Sequence, residues 1–413
     1  MTDEQPPAAS GATDAPAPAP IEAVELVRVV MPLVRPFRTS FGTQTRRDVL
    51  LVRVRSPGGD GWGECVTPAA PVYSEEFTEG AALVLRDHLV PRVLAGGREL
   101  TADDVQIRLR AVHGHRMARA ALEVAILDAQ LRGAGVSLAR HLGASVWRVP
   151  AGVSVGIPAG GVPELLDQVA GYRDDGYLRI KVKVEPGFDV APTTALRERF
   201  GPGLALQVDA NGGYDPDDPA HLAALDGLDE LDLRLLEQPF PAHRVRDHAR
   251  HAPRWRTPLC LDESITDPVT ARDAVETGAA AVVNIKLGRV GGMRTSLAIR
   301  DVCAARGVPV WCGGMLETGV GRAANVALAA LPGFREPGDT SASDRYWRED
   351  LTEPFVLEDG HLSVPDVPGI GRTPLPERLR DAEVTRIDRR AGPRGPAWPA
   401  ARWRSDRRLN WPR

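Results

Sequence analysis

The chain has 413 residues, 43% hydrophobic and 26% charged, enough apolar content for a large core and too much length for one compact domain of ordinary size. Its 51 Lys+Arg against 55 Asp+Glu leave a formal charge of −4, which argues against a polyanion-binding body, so nucleic acid is not an expected partner. With no apolar run of about 18 residues and an opening Met1-Thr2-Asp3-Glu4-Gln5 unlike a signal peptide, the expectation is a cytoplasmic protein without a membrane span, its four scattered cysteines (Cys65, Cys260, Cys303, Cys312) reduced.

Residues 1–20 end in an Ala-Pro alternation and predict a disordered leader. Residues 21–148 predict an α+β capping domain. Short apolar runs such as Val49-Leu50-Leu51-Val52 read as antiparallel strands up to about residue 71, and Met117–Asp128 carries unbroken helical spacing. A different rhythm begins near Pro150. Apolar, β-branched runs recur at 153–155, 180–183, 206–209, 233–237, 259–262, 282–286 and 308–311, one βα unit per step. Over residues 149–345 this predicts the α/β class, a (β/α)7β TIM-like barrel. An open doubly wound sheet is disfavoured, because no Gly-rich phosphate loop follows the first strand. Residues 346–374 are expected to return to the capping domain. Residues 375–413 hold eleven Arg against five Asp+Glu, with Trp398, Trp403 and Trp411 interleaved, and predict a solvated, poorly ordered tail. Removing 1–20 and 378–413 is therefore expected to leave folding and turnover nearly unchanged.

Only three of the basic residues are lysines: Lys181, Lys183 and Lys286. Arginine keeps its proton, whereas a lysine can be tuned to act as a base near neutral pH, so these three mark positions where deprotonation is useful. Lys183, Asp209, Glu237, Asp262 and Lys286 fall at the ends of predicted strands two to six, and strand C-termini of such a barrel converge on one face. Three carboxylates without His or Cys suit magnesium or manganese better than zinc; helix capping is the competing role, and a fair one for Asp209 alone. Lys181 and Lys183 point the same way about 7 Å apart, and like charges favour the neutral amine, which makes Lys183 a candidate general base. Lys286 would stand on the opposite side of the barrel. The chemistry this implies is proton abstraction α to a carboxylate held by a cation.

The order and spacing of Lys181-Val182-Lys183, Asp209-Ala210-Asn211, Glu237-Gln238-Pro239, Asp262-Glu263-Ser264 and Lys286 resemble the muconate-lactonizing subgroup of the enolase superfamily. Phe37–Gly42, Gly61-Trp62-Gly63-Glu64-Cys65, Gly313–Gly319 and Gly338–Asp344 are similar to the o-succinylbenzoate synthase and N-acylamino acid racemase family. The resemblance spans roughly residues 22–373 and implies an enolase-like fold with a capping domain over the barrel. It implies Lys183 as base tuned by Lys181, with Asp209, Glu237 and Asp262 as ligands to magnesium (manganese in its place). Lys286 would be the opposite base or an electrostatic partner. Ser154, Asn211, Arg289, Gly291, Met293 and Glu317 would surround the substrate, and Phe37, Phe41 and Tyr73 would form a lid. The substrate implied is a small carboxylate with a succinyl or other acyl arm, handled by a homo-oligomer. Dehydration to o-succinylbenzoate, a step of menaquinone biosynthesis, is the leading expectation, with N-acylamino acid racemization beside it. Dipeptide epimerization and cycloisomerization are more distant. A non-catalytic barrel acting as a binding protein is the alternative of another class, disfavoured because five buried polar positions are costly to keep without a use.

Overall fold

A computed structural model of the protein describes residues 16–390. Two long strands, Ala23–Thr39 and Gly42–Arg55, form an antiparallel hairpin extended by Gly61–Cys65. Alternation divides their side chains: Val27, Val29, Val49 and Leu51 join the core shared with the barrel, while Leu26, Leu50 and Val52 face a second core under the helical layer. The helix Arg116–Ala134 lies between the two cores and is buried on nearly every face, so small and apolar residues occur all round it, interrupted by the buried Glu123, Asp128 and Gln130. Strand Gly61–Cys65 crosses it closely enough that a Cβ on Gly61 or Gly63 would stand 2.0 Å from the carbonyl oxygen of Ala125 or Ala121. Only glycine permits that approach.

The barrel layer is a curled sheet of seven parallel strands: Gly152–Val155, Arg179–Lys183, Leu206–Asp209, Leu236–Glu237, Leu259–Leu261, Val282–Ile285 and Val310–Cys312. They are numbered one to seven below. Some are shorter than the apolar runs suggest; the seventh, for example, starts only after Pro309, which has no N–H for a ladder. The eighth position is filled without a regular strand. Arg335 and Asp339 donate backbone N–H groups to Val310 O (3.1 Å) and Cys312 O (2.9 Å), while Gly338 exchanges bonds with Pro150 O and the Gly152 N–H on the other side, so the segment links strands seven and one. Among the described residues no helix is long and apolar enough to cross a membrane.

Both ends of the chain depart from the sequence-based expectation. In the predicted leader, Ala19–Pro20 pairs with Glu99–Leu100, Ala19 is buried, and Gln130 donates to the carbonyls of Pro16 and Ala17. Residues 1–15 lie outside the described residues. The predicted disordered tail instead begins with a helix, Pro376–Ala382, whose Leu379 is buried and whose Arg378 donates to the Asp350 and Thr352 carbonyls. Strand Glu383–Arg390 then pairs antiparallel with Ala23–Val29. An edge strand needs only backbone partners and tolerates a charged composition, which is why this segment reads as solvated tail. The tryptophans at 398, 403 and 411 lie outside the described residues. A chain ending at residue 375 is therefore expected to melt several degrees below one ending at Arg390; equal melting temperatures by calorimetry would remove this strand from the cooperative unit.

Three buried carboxylates of the capping domain tie it to its neighbours, two to barrel helices and one to the segment that follows the barrel. Glu64 accepts from the Thr318 N–H and Oγ1–H and the Gly321 N–H, at the start of helix Gly319–Ala329. Glu123 accepts from the Arg294 N–H at the start of Met293–Ala304, and Asp128 from the Trp62 and Ile370 N–H groups. Helix N-termini favour such anions, yet burial is the largest influence and raises Glu64 and Glu123 to about 7 and Asp128 to about 6. The folded state thus keeps protons that the unfolded chain releases, so stability should fall as pH rises from about 5 to about 7. Melting temperature measured against pH checks this, and Glu123→Gln should flatten the slope.

Candidate active site

The five charged side chains expected at barrel strand ends stand there. Lys183, Asp209 and Glu237 close strands two, three and four, and Asp262 and Lys286 are the first residues beyond strands five and six. Register sets them side by side, with Lys183 opposite Asp209 and Asp209 opposite Glu237. Carboxylate oxygens of Asp209, Glu237 and Asp262 lie within 4.8 Å of one another, and all three residues are fully buried.

Cations are matched to these anions. Lys181 Nζ reaches Asp339 Oδ2 at 2.7 Å, Glu237 Oε2 at 3.0 Å and Asp209 Oδ2 at 3.2 Å. Burial works against its charge, but the three carboxylates outweigh burial and leave its pKa raised. Lys183 Nζ pairs with Asp209 Oδ2 at 2.5 Å. Here burial, joined by the charge of Lys181, prevails over Asp209 and lowers the amine's pKa. The direction is that expected from the lysine pair, but desolvation is the larger cause. Lys286 Nζ pairs with Asp262 Oδ2 at 2.7 Å and donates to the Tyr73 hydroxyl at 3.2 Å. Burial again opposes the charge, while Tyr73, Glu263, Glu237 and Asp209 leave its pKa raised. Asp209 stays low because the three lysines overcome its burial.

Whether this donor set fits a hard divalent cation can be read from the groups around it. Ser154 Oγ, Asn211 Oδ1, Glu263 Oε2 and Asn284 Oδ1 are buried without a hydrogen-bond partner among the described residues, although Asn211 Nδ2 holds Glu263 Oε1 and Asn284 Nδ2 holds Glu237 Oε1. Buried polar atoms left open are rare unless something is to occupy the space. An all-oxygen triad ringed by open acceptors suits a cation of the magnesium class with water or substrate completing its shell. The backbone is strained here too: Asn211 (φ 46°), Gln238 (φ 39°) and Leu316 (φ 58°) are left-handed, a cost that folds tolerate mainly at working sites. Gln238 earns its conformation by accepting from the Asp262 and Ser264 N–H groups and donating to Phe240 O.

A pocket opens above this layer. Lys181, Lys183, Lys286, Ser154 and Asn211 line it from the barrel, and Phe37, Phe41 and Tyr73 line it from the capping domain. Phe41 and Tyr73 pack with ring centroids 5.7 Å apart. Other residues assigned to the substrate by resemblance sit elsewhere. Gly291 and Met293 do not line the pocket; Gly291 O accepts from Gln106, and Met293 is buried in the core at the start of its helix. The turn they make is needed for docking the capping domain, since Glu123 occupies the space a Cβ on Gly292 would need. Arg289 lies behind Asp262, pairing with it and donating to the carbonyls of Ile265 and Asn284. Glu317 accepts from the Met315 N–H and Asn325 and shapes the loop whose Gly314, Met315 and Leu316 face the pocket. Asp339 was not singled out by sequence, yet it faces the pocket and pairs with both Lys181 and Arg179. Its place within the bridging eighth segment, inside the Gly338–Asp344 run, was the available signal, although that segment carries no strand pattern.

Comparison with known proteins agrees with this arrangement. The mandelate racemase / muconate lactonizing enzyme N-terminal domain family matches residues 22–143, and the enolase C-terminal domain-like family matches residues 164–378. The chain is 55% identical over 367 residues to an N-succinylamino acid racemase of Amycolatopsis sp, covering 89% of this chain and 98% of that protein. It is 44% identical to an o-succinylbenzoate synthase of Geobacillus stearothermophilus, covering 85% and 92%. A solved structure of an enolase superfamily member from Listeria innocua superposes with a TM-score of 0.85 at 37% identity, covering 91% of this chain and all of that one. Two family matches that together span most of the chain, with relatives at this identity and coverage, place it in the enolase superfamily, among proteins named o-succinylbenzoate synthase and N-succinylamino acid racemase.

Proposed function

We propose that this protein abstracts the α-proton of a small carboxylate substrate. Its main reaction is the dehydration of 2-succinyl-6-hydroxy-2,4-cyclohexadiene-1-carboxylate to o-succinylbenzoate, and the same centre racemizes N-acylamino acids. The observation that carries the reading is that Lys183 and Lys286, from strands two and six, line one pocket over the Asp209, Glu237 and Asp262 carboxylates. Asp209, Glu237 and Asp262 would hold a divalent cation, magnesium or manganese, which would supply charge stabilisation to the substrate carboxylate. Lys183, as the neutral amine, takes the α-proton. In the dehydration the C–H bond becomes the new ring double bond, the C–O bond to the hydroxyl breaks, and Lys183 returns the proton so that water departs. In racemization Lys286 delivers a proton to the opposite face of the α-carbon. Lys181 remains charged and orders the carboxylates. The four buried, unpaired cysteines suit a reducing compartment, in keeping with a cytoplasmic enzyme of menaquinone biosynthesis.

Incubating purified protein with the cyclohexadiene carboxylate and magnesium should yield the aromatic product, followed by its absorbance; no product with any divalent cation would sink the dehydration. A dedicated racemase is the second reading, favoured by the 55% identical Amycolatopsis protein of that name. The ratio of kcat/KM for the two substrates decides between them.

A further inference from the structure

The pocket holds a buried cation that the reaction above does not use. Arg47 lies on strand Gly42–Arg55, and alternation places it on the face of Val49 and Leu51, toward the barrel. It lines the same pocket as Lys183 and Lys286 and is 2% exposed. Its hydrogen bonds go to neutral groups, Val66 O at 3.0 Å, Thr67 O at 3.4 Å and Gln44 Oε1 at 3.2 Å, and Nε has no partner. Every other deeply buried cation in this pocket has a carboxylate within 4.0 Å, and among the described residues Arg47 has none. Glu64 and Glu317 are the carboxylates that act on it most strongly through space. Both are occupied elsewhere, Glu64 by Thr318 and Gly321, Glu317 by Met315 and Asn325. A guanidinium buried without a paired anion is expensive, and its cost is recovered when an anion arrives in the pocket.

We propose that Arg47 receives the distal carboxylate of a dianionic substrate, and so selects acyl arms that end in a carboxylate over arms that end in a neutral group. The assignment rests on the reading given under Proposed function. With the α-carboxylate over the Asp209, Glu237 and Asp262 triad and the α-carbon between the two lysines, the arm runs toward the capping domain. There Arg47 is the cation on a wall that also carries Phe37, Thr39, Phe41, Gln44, Pro68 and Tyr73. The Nε–H donates to the arm's carboxylate, and the guanidinium charge offsets it in a site that excludes water.

Calorimetric titration of the full chain with magnesium tests this, using N-succinyl-L-phenylalanine and the isosteric N-succinamyl-L-phenylalanine, whose arm ends in a neutral amide. The unmodified protein should bind the succinyl compound about ten- to hundredfold more tightly. Arg47→Gln should bring that ratio close to one, and Arg47→Lys should restore part of it. Equal affinities in the unmodified protein, binding of neither compound, or a Gln variant that weakens both equally would overturn the proposal; the last outcome is what a purely structural counter-charge for Glu64 and Glu317 would give. Exchange of the α-proton in heavy water is read on the same two compounds. Succinyl preference without exchange would sink the proposed reaction and leave the Arg47 assignment standing, and exchange without preference would do the reverse.

Discussion

Lys183→Arg should lower dehydration by roughly 10²–10⁴-fold, the usual worth of a positioned general base, with little change in melting temperature. An arginine can still donate to Asp209 as the amine does, but a guanidinium does not surrender its proton at neutral pH. Lys286→Arg should cost dehydration much less, because there the residue contributes charge beside Asp262 and Tyr73 rather than a proton acceptor. Steady-state kinetics on the two variants check the asymmetry. Equal losses would mean that the dehydration needs both amines.

Glu237→Gln is the second large effect. Glu237 sits at the centre of the site, accepting from Lys181 and Gln207 through Oε2 and from Asn284 through Oε1. The amide is nearly the same size and removes one of the three anionic ligands, so affinity for magnesium or manganese should fall by at least about 100-fold, the upper range for losing a mere supporting residue. Lys181 would still be paired with Asp209 and Asp339, which leaves the fold an alternative to an unpaired buried amine. Manganese binding followed by competition with a fluorescent chelator gives the affinity directly. Excess chelator should likewise abolish turnover of the unmodified protein, and added magnesium should restore it; full activity in chelator would remove the cation from the account.

What the sequence made legible was the barrel rhythm and the strand-end charges, because both follow from local pattern. A parallel strand buried on both faces is a continuous apolar run, and a Lys, Asp or Glu closing such a run can only face the barrel mouth. Lys181, Lys183 and Lys286 also stood out against an arginine-rich background. The same logic failed where position depends on contacts remote in sequence. Gly291 and Met293 were read as substrate neighbours, but Glu123, more than 160 residues earlier, pulls that turn into the domain interface. Asp339 and Arg47 reach the pocket from segments with no barrel-strand pattern, one bridging strands seven and one and the other in the capping hairpin. At the C-terminus, Glu383–Arg390 carries the charge of a solvated tail and is ordered by pairing with Ala23–Val29, a partner some 360 residues away.

In the proposed reaction two lysines work on opposite faces of one α-carbon, and enantiomer-resolved exchange in heavy water reads each of them separately. With magnesium, the unmodified protein should place deuterium at the α-carbon of both D- and L-N-succinylamino acids. Lys183→Arg should abolish exchange of one enantiomer while the other still exchanges through Lys286, and Lys286→Arg should give the reciprocal pattern. Equal exchange of both enantiomers in either variant would contradict the two-sided arrangement.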